Sequence, residues 1–208
     1  MIDKNTVKRI IIENQRIASN ITLNEREYDF EDNLNYVLIG LRRAGKSYLL
    51  YQRMQQLMKS GHSVDEFLYF NFEDERLIGM MASDLDTILS SYREMYDYKP
   101  FVFLDEIQII DGWEKFARRL ADQGYRVYIT GSNAKMLSSE IATTLGGRYQ
   151  IKRVFPMSFR EMLRAKGVDV EDKNFEFKNQ DLINKYLEEY FTFGGLPEIG
   201  GVLDKRGW

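Results

Sequence analysis

Residues 40–47 read Gly40-Leu-Arg-Arg-Ala-Gly-Lys-Ser47. This is the Gly-x4-Gly-Lys-Ser pattern of a loop that cradles phosphate. The run before it, Asn35-Tyr-Val-Leu-Ile-Gly40, suits a buried strand. The run after it, Ser47 to Lys59, has helical spacing: Leu50, Met54 and Leu57 share a face and Gly61 marks the stop. A strand, a glycine loop and a helix N-terminus together make an anion site. Gly40 and Gly45 are expected to let the backbone curl until its N–H groups converge, and the helix end adds positive potential. All eight residues, Gly40, Leu41, Arg42, Arg43, Ala44, Gly45, Lys46 and Ser47, are therefore candidates for binding nucleotide phosphate. Lys46 is expected on the β- and γ-phosphates of ATP and Ser47 on Mg²⁺.

Outward from this loop, apolar runs and helical stretches alternate. Strands are expected at 67–72, 100–104, 125–130 and 149–155, besides the one at 35–40. Helices are expected at 5–18, 83–96 (opened by a Ser83/Asp86 capping box), 111–123, 134–145, a short one from Ser158 to Gly167, and 181–193. Residues 21–34 and 167–179 read as irregular and exposed. The alternation implies βαβ crossovers, hence an α/β fold with a parallel five-stranded sheet and helices on both faces. Three regions are expected: an N-terminal helix and lead-in (1–34), a nucleotide-binding core (35–156) and a helical extension (157–208).

The second informative stretch is Phe101-Val-Phe-Leu-Asp-Glu-Ile-Gln108. Four apolar residues carry the chain through the sheet and deliver two carboxylates at its rim. Beside a phosphate loop, Asp105 is expected to hold Mg²⁺ with Ser47, and Glu106 to take a proton from the attacking water or orient it. Glu73, ending the second strand, could help at the same edge, though a solvated strand end explains it as well. Arg42 and Arg43 raise local positive potential, or face solvent.

Composition narrows the classes further. The 208 residues are 44% hydrophobic and 29% charged, with net charge −3. That disfavours non-specific nucleic-acid binding and leaves nucleic acid open only through a local basic patch. The absence of cysteine excludes disulfides and thiolate metal sites. No apolar run approaches the ~20 residues of a membrane span, and Met1-Ile-Asp-Lys-Asn-Thr lacks a signal-peptide core. A cytoplasmic protein is the simplest expectation. His62, the one histidine, reads as an exposed turn residue. The 13 tyrosines and 13 phenylalanines mostly fall in strands and on apolar helix faces, where core packing explains them without base stacking.

The two motifs, with Ile129-Thr-Gly-Ser-Asn133, resemble the AAA+ superfamily of P-loop NTPases. Leu145-Gly-Gly-Arg-Tyr149, Phe155-Pro-Met-Ser-Phe-Arg-Glu161 and Phe193-Gly-Gly-Leu-Pro-Glu198 narrow the resemblance. They point to prokaryotic ATPases that pair such a domain with a C-terminal domain of unknown function. The resemblance implies Walker A and Walker B motifs at 40–47 and 101–106 and a polar sensor at Ser132 or Asn133, between which the sequence does not choose. It also implies an arginine finger at Arg148, acting from a neighbouring subunit of a homo-oligomer. A helix cap at Asn133 and a surface ion pair at Arg148 are the plainer alternatives. The 194–198 segment resembles a Gly-x-Pro element that contacts the base. The C-terminal domain usual in that family is expected to be missing after Trp208, leaving an unknown protein partner open.

Two functions follow. The first is an ATPase using ATP and Mg²⁺. The second is a nucleotide-dependent switch or docking module with little turnover. A phosphate-transferring kinase fits less well, because it would not need the Asp105-Glu106 pair followed by a polar sensor strand.

Overall fold

The computed structural model describes residues 2–132, 143–172 and 174–196. Five strands, β1 (Asn35–Gly40), β2 (Phe67–Asn71), β3 (Phe101–Asp105), β4 (Arg126–Ser132) and β5 (Tyr149–Val154), form one sheet in the order β2-β3-β4-β1-β5. Every pairing is parallel. Parallel strands need covered faces, and alternation along each strand supplies two.

On one face, Val37 and Ile39, Leu68 and Phe70, Val102 and Leu104, and Val127 and Ile129 meet three helices. These are α1 (Lys4–Asn20), α3 (Leu85–Arg93) and α4 (Trp113–Asp122). On the other, α2 (Lys46–Lys59) sends Leu49, Leu50, Met54 and Leu57 onto an aromatic layer. In that layer Tyr128 stacks between Tyr36, 5.9 Å away, and Phe103, 4.9 Å away. The α/β architecture, with helices on both faces of a five-stranded parallel sheet, is thus the one expected.

Several elements differ from the sequence reading. The α1 stripe is Val7, Ile10, Ile11, Gln15 and Ala18, while Ile17 is 46% exposed. Helical geometry continues from Ile11 to Gln15 and Ala18, one step off Ile17. Gln15 is tolerated inside because it donates to the Phe67 carbonyl (3.0 Å) and accepts from the Tyr96 hydroxyl (2.9 Å).

The Ser83/Asp86 capping box does not form. Ser83 lies within a 3₁₀ turn, Ala82–Asp84, which the chain enters from an extended Met81. Asp84 takes the Met81 N–H instead (3.1 Å), and Asp86 pairs with Arg119 on α4 (2.7 Å). A cap needs extended backbone, and here that falls two residues earlier.

His62 lies on the turn after α2 but is half-buried, with Nδ1 3.0 Å from Glu66 and its ring edge-on to Phe101.

The stretch 167–179 is not simply exposed. Val168 and Val170 are buried against Leu163 of α5 (Phe159–Ala165). The turn α6 (Phe175–Lys178) leads into α7 (Gln180–Phe193). Phe159, Phe175, Ile183 and Tyr186 pack against the same small cluster, so the fold-back is held from α5, α6 and α7 together. Most of the helix expected at 134–145 lies outside the described residues.

Candidate functional site

The carboxyl ends of β1, β3 and β4 converge where loops gather functional groups, as open α/β sheets generally arrange. The phosphate-loop pattern joins β1 to α2. Its turn closes with the Ala44 N–H donating to the Leu41 carbonyl (3.2 Å). Arg43 and Gly45 take positive φ, +65° and +91°. Gly45 is therefore required for its backbone freedom.

Gly40 is required for a different reason from the one expected. A Cβ there would sit 2.2 Å from the Val154 carbonyl oxygen of β5. Its role is close approach of β1 to β5, and its own backbone is not left-handed.

Lys46, 5% exposed, begins α2. Its ammonium donates to the Leu41 carbonyl (3.2 Å) and lies 3.3 Å from Glu106 Oε1. Glu106 takes φ +54° directly after β3, a left-handed conformation costing a non-glycine residue about 1–2 kcal/mol. Its N–H donates to Thr130 Oγ1 (2.9 Å), which keeps it there, and Gln108 donates to its Oε2 at 2.5 Å.

Asp105, 1% exposed, accepts hydrogen bonds from the Tyr69 hydroxyl (2.6 Å) and from Thr130. Burial pushes its carboxyl above the ordinary 3.8 despite the opposing influence of Thr130, Tyr69 and Ser47, and the charge of Glu106 adds to the rise. Burial and the Asp105 charge push the Tyr69 phenol far up, so it stays a donor.

A cavity of about 440 Å³ opens over this cluster. Arg42, Arg43, Lys46, Tyr48, Glu73 and Glu106 are among its walls. No cluster of three or more His, Cys, Asp or Glu able to hold a metal occurs among the described residues. The donor set at Ser47 and Asp105 nonetheless fits Mg²⁺, which typically takes one or two carboxylates, with phosphate and water supplying the rest.

The fold thus brings together 40–47, Asp105 and Glu106. Leu41 is 54% exposed, and Ala44 is fully buried behind the loop. Ser132 ends β4 abreast of Gly40, and Asn133 lies outside the described residues. Arg148 is not at this site. It precedes β5 at the opposite, amino-terminal end of the strands, where its guanidinium pairs with Asp122 and its carbonyl accepts from Asn35 (3.2 Å).

Tyr69, Thr130, Gln108 and Arg26 were not picked out by sequence reasoning. Tyr69 and Thr130 are ordinary strand residues, and only strand register makes them partners of Asp105. The Gly194–Gly195 part of the last glycine motif packs on Met157, whose N–H donates to the Gly195 carbonyl (2.6 Å). Pro197 and Glu198 lie outside the described residues.

No helix among the described residues is long and apolar enough to cross a membrane.

Comparison with known proteins gives three findings. Residues 32–163 match the family model AAA_14, described as an AAA domain. An uncharacterized protein of Methanocaldococcus jannaschii is 39% identical over 99% of this chain and 46% of its own length. Another from Haemophilus influenzae is 36% identical over 78% of this chain and 39% of its own. The chain therefore spans less than half the length of these curated relatives.

Among solved structures, AMPPCP-bound DnaA from Aquifex aeolicus aligns over 92% of this chain and 64% of its own, with a TM-score of 0.45 and 15% identity. The S. cerevisiae Hsp104–ADP complex aligns over 96% and 29%, also at 0.45 and 15%. The family match runs from the lead-in to β1 into α5, spanning the phosphate loop, the carboxylate pair and all five strands. The chain belongs to the AAA domain family.

Proposed function

We propose that this chain binds ATP with Mg²⁺ at residues 40–47 and hydrolyses it. The observation that carries the reading is the meeting of Lys46 with Glu106 at 3.3 Å, with Ser47 beside them in the wall of the same cavity. Lys46 and the backbone N–H groups of the loop would bind the β- and γ-phosphates. Ser47 and Asp105 would hold Mg²⁺, which when bound neutralises charge on those phosphates. Glu106, freed from Lys46 once that ammonium turns to phosphate, would accept a proton from water at its carboxylate. Ser132 or Asn133 would sense the γ-phosphate. Arg148, far from its own loop, would act on a neighbouring copy. Residues 157–208 would form a helical extension to the nucleotide-binding core.

Phosphate release from Mg-ATP by the chain, Lys46→Ala and Glu106→Gln tests this. Lys46→Ala should lose binding, and Glu106→Gln should bind but turn over at least ~10²-fold more slowly. Equal background release from all three rejects hydrolysis.

A second reading, a nucleotide-dependent switch with little turnover, is favoured by one feature. Both Glu106 oxygens are engaged, one by Lys46 and one by Gln108. Tight binding with negligible release, unchanged by Glu106→Gln, selects it.

A further inference from the structure

The lead-in segment before β1 carries a buried arginine that the nucleotide reading does not use. Arg26 is 6% exposed. Its guanidinium donates in three directions: to Glu161 Oε1 of α5 (2.8 Å), to the Phe155 carbonyl just after β5 (2.9 Å) and to the Ala44 carbonyl of the phosphate loop (3.1 Å). Its own backbone is fixed from α2, since Gln52 accepts the Arg26 N–H (2.8 Å) and donates to the Arg26 carbonyl (2.9 Å). Glu161, 4% exposed, also accepts the N–H groups of Glu27 (2.9 Å) and Ser158 (2.7 Å). Arg26, Gln52 and Glu161 are all buried, while Glu27, Phe155 and Ser158, which contribute only backbone groups to these bonds, are exposed.

The bond to Ala44 matters because of peptide geometry. The 44–45 peptide is trans and planar, as no cis bond occurs among the described residues. Its N–H therefore points opposite to its C=O. Holding the Ala44 carbonyl toward Arg26 turns the Gly45 N–H the other way, toward the cavity that Gly45 lines. Without that hold the peptide can rotate cheaply, because glycine at 45 accepts both signs of φ. A rotated peptide would offer the anion a carbonyl in place of a donor.

We infer that Arg26 is a positioning residue for the phosphate loop, fixing the 44–45 peptide so that the Gly45 N–H faces bound phosphate, with Glu161 of α5 as its anchor. The inference rests on the nucleotide-binding reading and names the device that prepares that site. It also ties the loop to the C-terminal segment. Met157, four residues before Glu161, accepts from the Tyr190 hydroxyl (2.9 Å) and donates to the Gly195 carbonyl (2.6 Å).

Arg26→Lys and Arg26→Gln separate positioning from folding. Lysine restores a charge beside Glu161 but cannot fan out to two carbonyls as well. Affinity for a fluorescent ATP analogue with Mg²⁺ is measured beside thermal unfolding, with Arg119→Gln as a remote surface control and Lys46→Ala as the binding blank. Both Arg26 variants should bind about tenfold more weakly or worse, while Arg26→Lys melts above Arg26→Gln. If Arg26→Lys binds as tightly as the unaltered chain, the inference is overturned.

If the unaltered chain binds no better than Lys46→Ala, the nucleotide reading fails instead. The hydrogen-exchange rate of the Gly45 amide without nucleotide then decides. Faster exchange in Arg26→Lys upholds the positioning role, and an unchanged rate removes it. Should Arg26→Gln not fold, Glu161→Gln takes its place in the same comparison.

Discussion

At the scale of single residues, the site depends on groups that hold the two carboxylates as much as on the carboxylates themselves. Asp105 is buried and accepts from Tyr69 and Thr130. A buried carboxylate without such donors would turn or protonate. Thr130→Val removes two bonds at once, the donor to Asp105 and the acceptor of the Glu106 N–H. Leaving those groups unpaired should cost roughly 1–3 kcal/mol of stability. It should also weaken Mg²⁺-dependent nucleotide binding more than binding without Mg²⁺. Tyr69→Phe keeps the stacking on Tyr51 (4.9 Å) and loses only the hydroxyl. Its expected signature is a higher Mg²⁺ requirement with a near-normal melting temperature, read by titrating Mg²⁺ at fixed nucleotide. A melting temperature that falls with no change in Mg²⁺ requirement would show that Tyr69 is only packing. The loop and the Asp105-Glu106 pair were legible in the sequence because their spacing is local. Tyr69 and Thr130 were not, because what makes them partners is the register of β3 between β2 and β4. Arg26 was hidden in an acidic, irregular stretch with no periodicity to mark it.

At the scale of elements, α5 and its cap form the junction between the core and the C-terminal segment. Ser158 and Glu161 make the reciprocal capping box that their spacing announces, and the same Glu161 closes the buried pair with Arg26. Burial alone would raise the Glu161 carboxyl. Hydrogen bonds from Arg26, Glu27 and Ser158 outweigh that and hold it below the ordinary 4.5. A carboxylate depressed in the folded state contributes stability above its unfolded value, and that stability is lost as pH falls through the folded value. Protonating Glu161 as pH falls below about 4.5 should therefore weaken the α5 junction. Glu161→Gln should flatten the pH dependence of the melting temperature in that window and lower it by a pH-independent amount at neutrality. A pH profile identical to the unaltered chain would place the titration elsewhere. The elements misread from sequence share one cause. The entry to α3 and the fold-back at Val168 and Val170 are decided by what neighbouring helices cover, which no single segment encodes. The glycine of β1 shows the same limit: its place in the pattern was plain, but the Val154 carbonyl that demands it was not.

At the scale of the whole molecule, the carboxyl ends of the strands carry the candidate nucleotide site and the amino ends carry Arg148. The half-exposed pair with Asp122 is worth at most about 1 kcal/mol. Arg148→Ala should leave nucleotide affinity of the chain unchanged. If copies assemble with Arg148 at a neighbour's site, the same variant should lower turnover only where turnover rises with protein concentration. Loss of affinity in dilute solution would contradict the placement described here. The strand order has another consequence. β1 pairs only with strands made much later: Asn35 accepts from Val127, 92 residues on, and donates to the Arg148 carbonyl, 113 residues on. During synthesis the first core strand must wait, both edges open, while β2 and β3 emerge and pair with each other. Competence to bind nucleotide should thus be acquired abruptly and late, once β4 and β5 have left the ribosome, and nascent chains stalled before residue 126 should show none of it.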